Sequence, residues 1–394
     1  MALLKDLTVD GKGHYGIGAS AVERREDLYT YLRITDICDD GTVNETDLKS
    51  VDDPEASKYL LKPNDIVFAR TGASTGRNYL YDGSDGVFVY AGFLIKFSID
   101  PAKVNPQYVK YFCRSVQYRN WISSFSTGST RGNINAQTLG NMEIQLPSRA
   151  QQDFLASILA PIDEKIKLNH KINDNLYAQA RVITNQWIAE NEGDYELLPL
   201  SEIAAINPDA YSPKEEWEYV NYLDTSSITD GCIADVQHIT PSVEKLPSRA
   251  RRKIAPNDVV FSTVRPNQRH FGIISEPLPN MLASTGFAVI RSMKSSVCNE
   301  LIYLCLTENA FIEKMQQLAE QSTSTFPSIK PSDLGVCEIP CPKDDSLSNI
   351  AETLKSVFTL IAANHRENAS LTELRDLLLP KLMSGEIGVS DIQL

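Results

Sequence analysis

Two stretches of the chain carry apolar residues in alternating steps of three and four, which is the spacing of a coiled-coil helix. The first stretch has a seam made of Leu159, Ile162, Ile166, Asn169, Asn173, Leu176, Ala180, Ile183 and Trp187. The second repeats this seam 195 residues later as Leu354, Val357, Ile361, Asn364, Asn368, Leu371, Arg375, Leu378 and Leu382. We predict two long helices that pack against each other. The alternative is two amphipathic helices that pack separately, each on its own domain.

Four asparagines interrupt the apolar seam and set its register. An amide in an apolar interface must find a polar partner, so the asparagines are expected to pair. An antiparallel pair places Asn169 opposite Asn368 and Asn173 opposite Asn364. A parallel pair would also match asparagine with asparagine. We favour the antiparallel arrangement because duplicated units usually associate about a closed twofold axis.

Short runs of β-branched and aromatic residues fill the segments that precede each seam. Residues 66–69 and 87–90 are examples, and Gly, Pro, Asn and Asp turn signals bound them. This pattern predicts strands. Apolar residues at helical spacing also predict one helix over residues 105–124 and another over residues 299–321.

The whole chain consists of two copies of one unit. Residues 139–147, LGNMEIQLP, recur as residues 334–342, LGVCEIPCP, with five of nine positions identical. Residues 62–68 likewise return as 255–261, and Gly92-Phe93 matches Gly286-Phe287. We therefore predict an α+β fold: two strand-rich domains related by an internal pseudo-twofold and separated by two long antiparallel coiled-coil helices. The predicted segments are a first domain, a central helix, a second domain and a C-terminal helix, over residues 1–147, 148–192, 193–342 and 343–394.

Composition excludes several classes of protein. The 394 residues are 42% hydrophobic and 23% charged, as in an ordinary globular protein. No run of about 18 apolar residues and no signal peptide is visible, so we expect a cytoplasmic protein without a membrane partner. Seven cysteines and five scattered histidines show no metal-ligand spacing, and we predict no metal site.

Sequence signals of catalysis are missing. Residues 72–77 are glycine-rich but lack the lysine and spacing of a phosphate loop. Residues 11–18 resemble a dinucleotide fingerprint only superficially, because no convincing strand precedes them and no helix follows. No base-methylation motif is present. We predict no catalytic residue and no cofactor bound by this chain.

Polar, partly basic loops lie at matching positions in the two copies. Arginine suits guanine edges, asparagine suits adenine, and small hydroxyl residues suit phosphates, so these loops are candidate DNA contacts. In the first copy the candidates are Arg70, Thr71, Ser74, Thr75, Arg77, Ser129, Thr130, Arg131 and Asn133. In the second they are Thr263, Arg265, Asn267, Arg269, His270, Ser324 and Thr325. The alternative for any single loop is a solvated turn. The net charge of −13 weighs against nonspecific nucleic-acid binding.

These features together resemble a known family. Residues 63–76, PNDIVFARTGASTG, the Ser129-Thr130 pair before Asn133-Ile134, and residues 382–387, LMSGEI, are typical of the specificity subunits of type I restriction-modification enzymes. The second copy departs from the pattern, with Ser262-Thr263-Val264-Arg265 in the first loop.

The resemblance implies a noncatalytic subunit. Its two target-recognition domains would each read one half of a bipartite sequence in double-stranded DNA, and its paired helices would space them and dock two methyltransferase (modification) subunits. Those subunits would bring S-adenosylmethionine, and restriction or translocase subunits would bring ATP and Mg. A competing hypothesis is a tandem-repeat coiled-coil interaction scaffold without nucleic acid.

Overall fold

The computed structural model describes residues 1–45, 47–125, 133–212, 214–322, 327–343 and 348–388. It divides the chain into two compact units. The first unit combines residues 1–166 with residues 370–394, and the second unit is the continuous segment 167–369. The bounds of the four segments predicted from the sequence stay a prediction.

The first unit is built on two four-stranded sheets. Its strands are β1 (Ala2–Leu3), β2 (His14–Tyr15), β3 (Ala21–Val22), β4 (Tyr29–Leu32), β5 (Lys49–Val51), β6 (Asp65–Ala69), β7 (Asn78–Tyr81), β8 (Phe88–Tyr90), β9 (Leu94–Ser98) and β10 (Glu143–Ile144). One sheet has the order β2-β9-β6-β7 and the other β3-β5-β4-β8, and β1 pairs with β10. Only β4 and β8 run parallel among these pairs.

The second unit repeats this plan. Its strands are β11 (Tyr195–Pro199), β12 (Ala204–Ile206), β13 (Val220–Leu223), β14 (Ile228–Thr229), β15 (Cys232–Ile233), β16 (Gln237–Ile239), β17 (Ala250–Lys253), β18 (Asp258–Ser262), β19 (Phe271–Ile274), β20 (Met281–Ser284), β21 (Phe287–Ser292) and β22 (Glu338–Pro342). The sheet orders are β12-β21-β18-β19 and β16-β13-β20-β17, with β13 and β20 parallel. The predicted mixed fold with two strand-rich domains is confirmed.

The helices alternate with groups of strands along each unit. They are α1 (Pro106–Phe112), α2 (Val116–Ser123), α3 (Ala136–Gly140), α4 (Arg149–Glu190), α5 (Leu200–Ile203), α6 (Asn299–Leu306), α7 (Asn309–Glu320), α8 (Pro331–Leu334) and α9 (Ser348–Ser384). The single helices predicted over 105–124 and 299–321 are wrong, because each stretch forms two. The Ser115 hydroxyl accepts a hydrogen bond from the Tyr118 backbone N–H and so starts α2 as a separate helix.

The central strand of each unit is buried on both faces. In the first unit, Ile66 and Phe68 of β6 pack into one core and Val67 packs into another, as alternation along a strand requires. In the second unit, Phe261 and Val260 of β18 are divided between two cores in the same way. Burial on both faces explains why these strands are continuous hydrophobic runs in the sequence.

Strand register corrects one detail of the repeat. Leu94 lies opposite Ala69, and Phe287 lies opposite Ser262, the residue equivalent to Ala69. Phe287 is therefore structurally equivalent to Leu94. The sequence match of Gly92-Phe93 with Gly286-Phe287 is shifted by one residue. Phe93 is instead equivalent to Gly286.

Asparagines join the two long helices within the second unit. The Asn169 Nδ2 donates to the Asn368 Oδ1 at 2.8 Å, and the Asn364 Nδ2 donates to the Asn173 Oδ1 at 2.7 Å. Residue numbers rise along α4 as they fall along α9, so the antiparallel prediction is confirmed here. All four side chains are buried.

Replacing the buried amides singly and together tests this contact. Asn364→Leu leaves the Asn173 Oδ1 without its donor, and we expect a loss of about 1–3 kcal/mol in the second unit. Asn173→Leu combined with Asn364→Leu replaces both amides by apolar groups, and we expect its cost to be close to zero. Urea unfolding of Asn173→Leu, Asn364→Leu and the double variant measures the cost of each single substitution and of the pair. Single costs that simply add in the double variant would contradict the pairing.

A buried carboxylate joins the same two helices in the first unit. Asp163 of α4 accepts hydrogen bonds from Arg114 at 2.9 Å, Arg375 of α9 at 3.2 Å and the Tyr111 hydroxyl at 2.9 Å. The Lys110 ammonium lies 2.8 Å away. Burial alone would raise the pKa of Asp163, but the three cations outweigh burial and hold that pKa well below the ordinary value.

The second unit has no such charge cluster at the equivalent place among the described residues. The offset of 195 residues between the two copies relates Asp163 to Phe358 and Arg375 to Ala180. Phe358 packs edge to face against Tyr177 and Tyr303, with ring centroids 5.6 Å apart in both pairs. The one basic substitution in the predicted seam, Arg375, is therefore explained by its partner Asp163.

Candidate nucleic-acid interface

The first recognition loop, residues 70–77, joins β6 to β7 in the first unit. Its backbone takes a left-handed conformation at Gly72 and Gly76, with φ of 77° and 90°. A Cβ at Gly76 would lie 2.6 Å from the Ile122 side chain, so only glycine fits there. The Tyr118 hydroxyl donates to the Gly76 carbonyl at 2.5 Å and holds this turn against α2.

Arg70 lies at the start of this loop, close to two exposed aromatic rings. Its guanidinium carbon is 5.2 Å from the centroid of Tyr15 and 5.8 Å from that of Phe93, which places it in cation–π range of both. The Tyr15 and Phe93 side chains are 44% and 54% exposed. The Arg70 Nε is buried without a hydrogen-bond partner in the described part of the chain.

Strand β2 places Tyr15 beside this arginine. A Cβ at the next residue, Gly16, would lie 2.2 Å from the Tyr90 carbonyl oxygen, so glycine is needed for the close approach to the end of β8. The Tyr15 hydroxyl accepts a hydrogen bond from the Ala136 N–H at 3.1 Å. These contacts fix the ring at the end of the sheet where the loop begins.

The structure brings Thr71 and Asn133 together. They form an antiparallel bridge, and the neighbouring Ile134 N–H donates to the Arg70 carbonyl at 2.9 Å. Asn133 is exposed. Ser129, Thr130 and Arg131 lie outside the described residues.

The remaining candidates of this loop have contacts within the protein. Ser74 is buried, and the Thr75 hydroxyl donates to the Gly72 carbonyl at 2.7 Å. The Arg77 guanidinium binds the Asp39 carboxylate through two hydrogen bonds of 2.6 and 3.0 Å. Arg77 is therefore already committed to a partner that holds the loop.

The second recognition loop, residues 263–270, joins β18 to β19 in the second unit. It shares the backbone of the first loop: Ile329 N–H donates to the Thr263 carbonyl at 2.9 Å, and Val264 forms a bridge with Ser328. Arg265 and Arg269 occupy the positions of Gly72 and Gly76 and take the same left-handed conformation, with φ of 46° and 58°. Such backbone strain at non-glycine residues is typical of functional loops.

Side chains in this second loop differ from those in the first. Thr263 is buried, and its hydroxyl donates to the Gly286 carbonyl at 2.9 Å. Arg269 pairs with Asp230 at 2.6 Å, and the His270 Nδ1 lies 2.7 Å from the Ile228 carbonyl. Asn267 is exposed, and its N–H donates to the Gln316 side chain. Ser324 and Thr325 lie outside the described residues.

Tyr15 and Phe93 are candidate site residues that the sequence analysis missed. Tyr15 lies in the glycine-rich stretch 11–18, which was considered only as a nucleotide motif. Phe93 was matched to Phe287, which is buried in the core. The available signal was an aromatic residue flanked by two glycines, Gly13 and Gly16.

The described residues form neither a membrane-spanning helix nor a cluster of metal ligands. No helix there is long and apolar enough to cross a membrane. No group of three His, Cys, Asp or Glu side chains in that part of the chain is placed to hold a metal ion.

The comparison with known proteins defines the class. Residues 29–178 match the model of the family described as type I restriction modification DNA specificity domain. The resemblance to type I specificity subunits is thereby confirmed.

Full-length relatives and a solved structure agree with that class. The chain is 22% identical to the specificity subunit of the type I restriction enzyme HindI from Haemophilus influenzae, over 93% of this chain and 97% of the relative. It is also 22% identical to the putative MjaX specificity subunit from Methanocaldococcus jannaschii, over 94% and 90%. The crystal structure of a type I S subunit from M. genitalium has the same fold, with a TM-score of 0.52, 18% identity and coverage of 97% and 95%.

Proposed function

We propose that this chain is the DNA-recognition subunit of a type I restriction-modification complex and reads a bipartite target in double-stranded DNA. The observation that carries the proposal is one loop backbone used twice with different side chains. The carbonyls of Arg70 and Thr263 accept equivalent hydrogen bonds of 2.9 Å from Ile134 and Ile329. Two equal scaffolds with unequal loops suit two half-sites of different sequence.

Catalysis belongs to partner subunits in this proposal. Two methyltransferase subunits would dock on the chain and bring S-adenosylmethionine. Restriction or translocase subunits would supply ATP and Mg. The chain itself would act by binding alone.

Charge supports a dependence on partners. The net charge is −13, and two candidate arginines, Arg77 and Arg269, are paired with aspartates. Nonspecific affinity for DNA comes mainly from cations that neutralise phosphates. The isolated chain should therefore bind DNA weakly, and the methyltransferase subunits would add the missing phosphate contacts.

Methylome sequencing tests the proposal. Cells that carry this chain with its cognate methyltransferase are expected to methylate one two-part motif with a fixed gap. Cells with the methyltransferase alone are the control. Methylation that does not depend on this chain would favour the interaction scaffold without nucleic acid.

Exchanging one domain tests whether the two half-sites are read separately. Replacing residues 1–147 with the equivalent segment of a relative is expected to change one half of the motif, because the loops of the first unit lie within that segment. Replacing residues 193–342 should change the other half. A single exchange that alters both halves would contradict separate reading.

A further inference from the structure

The first unit has a feature for which the described residues of its repeat show no counterpart at the same position, which is an arginine within cation–π range of two exposed aromatic rings. The Arg70 side chain makes no hydrogen bond within the part of the chain that the structure describes, although its Nε is buried. The rings of Tyr15 and Phe93 both lie within cation–π range of the guanidinium and restrict its movement. An arginine restrained in this way has little conformational freedom left to lose when it binds a planar partner with two acceptor atoms.

The repeat offers an internal comparison at all three positions. The Thr263 N–H donates to the Gly286 carbonyl at 2.8 Å, as the Arg70 N–H donates to the Phe93 carbonyl at 3.1 Å. Thr263 therefore replaces Arg70 in the second unit, and Gly286 replaces Phe93. Asn207 pairs with Val289 where His14 pairs with Lys96, so the next residue, Pro208, replaces Tyr15. At these three positions the second unit therefore has neither the cation nor the two rings.

This difference favours a base contact over a phosphate contact. Every half-site presents the same phosphates, so a phosphate contact would be useful in both units. A base contact is useful only where that base occurs. A residue present in one unit and absent from the equivalent place in the other therefore fits base reading.

We propose that Arg70, positioned by Tyr15 and Phe93, reads a guanine in the half-site bound by the first unit. The guanidinium would donate to the O6 and N7 atoms of guanine in the major groove, the commonest specific contact of arginine with DNA. The proposal rests on the function proposed above and adds the base and the residue that reads it.

The test uses the complete complex of this chain with its methyltransferase. Once methylome sequencing has defined the motif, each guanine of the first half-site is replaced in a duplex by 7-deazaguanine, which lacks the N7 acceptor. One replacement should lower the methylation rate of the wild-type complex and have no further effect on Arg70→Ala. Arg70→Ala itself should lower the rate at the intact site by roughly 5- to 150-fold and relax the motif at that one position.

Two further variants complete the design. Arg70→Lys keeps the charge but lacks the two-pronged geometry, so it should relax the same position. Arg25→Ala is the matched control, because Arg25 is exposed and paired with Asp27. Arg25 precedes β4, whereas Phe93 follows β8, and these strands are parallel. The two residues therefore lie at opposite ends of the β4–β8 pair. Its motif and rate should equal those of the wild type.

The outcomes separate the two proposals. A wild-type complex without any preferred sequence would refute the proposed function. A defined motif would be consistent with the proposed function. Three results would overturn the role of Arg70: a first half-site without guanine, full tolerance of 7-deazaguanine, or an Arg70→Ala complex that methylates the same motif at a uniformly lower rate. The 7-deazaguanine result on the wild-type complex holds even if Arg70→Ala fails to fold.

Discussion

Replacing Asp163 with alanine is expected to destabilise the first unit by about 3–5 kcal/mol. The carboxylate is 13% exposed and is shared by Arg114, Lys110 and Arg375. Its removal leaves three positive charges close together in a partly buried place with no anion between them. That loss also removes the hydrogen bond of 3.2 Å between Arg375 of α9 and α4.

Native-state hydrogen exchange measures this effect locally, which is appropriate because a chain with two units need not unfold in one step. Amides of residues 1–166 should exchange faster in Asp163→Ala. Asp153→Ala is the matched control, since Asp153 pairs with Arg149 at 2.7 Å on the same helix but is 50% exposed. It should cost much less than Asp163→Ala, because an exposed ion pair contributes little to stability. Equal effects of the two substitutions would contradict the central role of Asp163.

Shortening one leucine in each long helix is expected to loosen one unit at a time. Leu159 and Leu354 occupy equivalent seam positions and are both fully buried. Leu159 belongs to a core cluster of the first unit and Leu354 to one of the second. Leu→Ala at either position should cost about 2–5 kcal/mol because it removes buried methyl groups and leaves a cavity.

The location of the effect is the informative result. Leu159→Ala should speed exchange in residues 1–166, and Leu354→Ala should speed exchange in residues 167–369. Leu168→Ala and Leu360→Ala are matched controls on the same helices, because these side chains are 53% and 48% exposed. If Leu159→Ala loosened both units equally, the two cores would not be independent.

Much of the architecture follows from patterns that sequence displays directly. Strict heptad spacing and matched asparagines predict the antiparallel contact seen between Asn169 and Asn368. Continuous apolar runs predict strands buried on two faces, such as β6. The breaks within the two shorter helical stretches were missed because single polar side chains cause them. Ser115 caps α2, and the Thr307 hydroxyl bonds back to the Tyr303 carbonyl where α6 ends.

The sequence indicates a loop after β6 and another after β18, and their role in binding DNA stays a prediction. It does not indicate what the side chains of these loops contact. Arg77 and Arg269 are equally basic in the sequence, and each pairs with an aspartate about forty positions away in the chain. Only folding brings such partners together. The aromatic neighbours of Arg70 also come from separate parts of the chain, since Tyr15 lies in β2 and Phe93 in the turn between β8 and β9. No local pattern therefore indicates that the two rings lie close together.

The division of the first unit between both ends of the chain has a consequence for synthesis on the ribosome. Residues 155 and 159 emerge early, but Leu379 and Leu382, which share their core cluster, come from the last helix. At roughly 5–20 residues per second, translation of residues 167–369 delays their arrival by on the order of 10–40 s. The continuous second unit is complete before the first. A nascent chain therefore carries an uncovered apolar helix face for most of its synthesis, and a message cut short before codon 370 yields a product that never covers it.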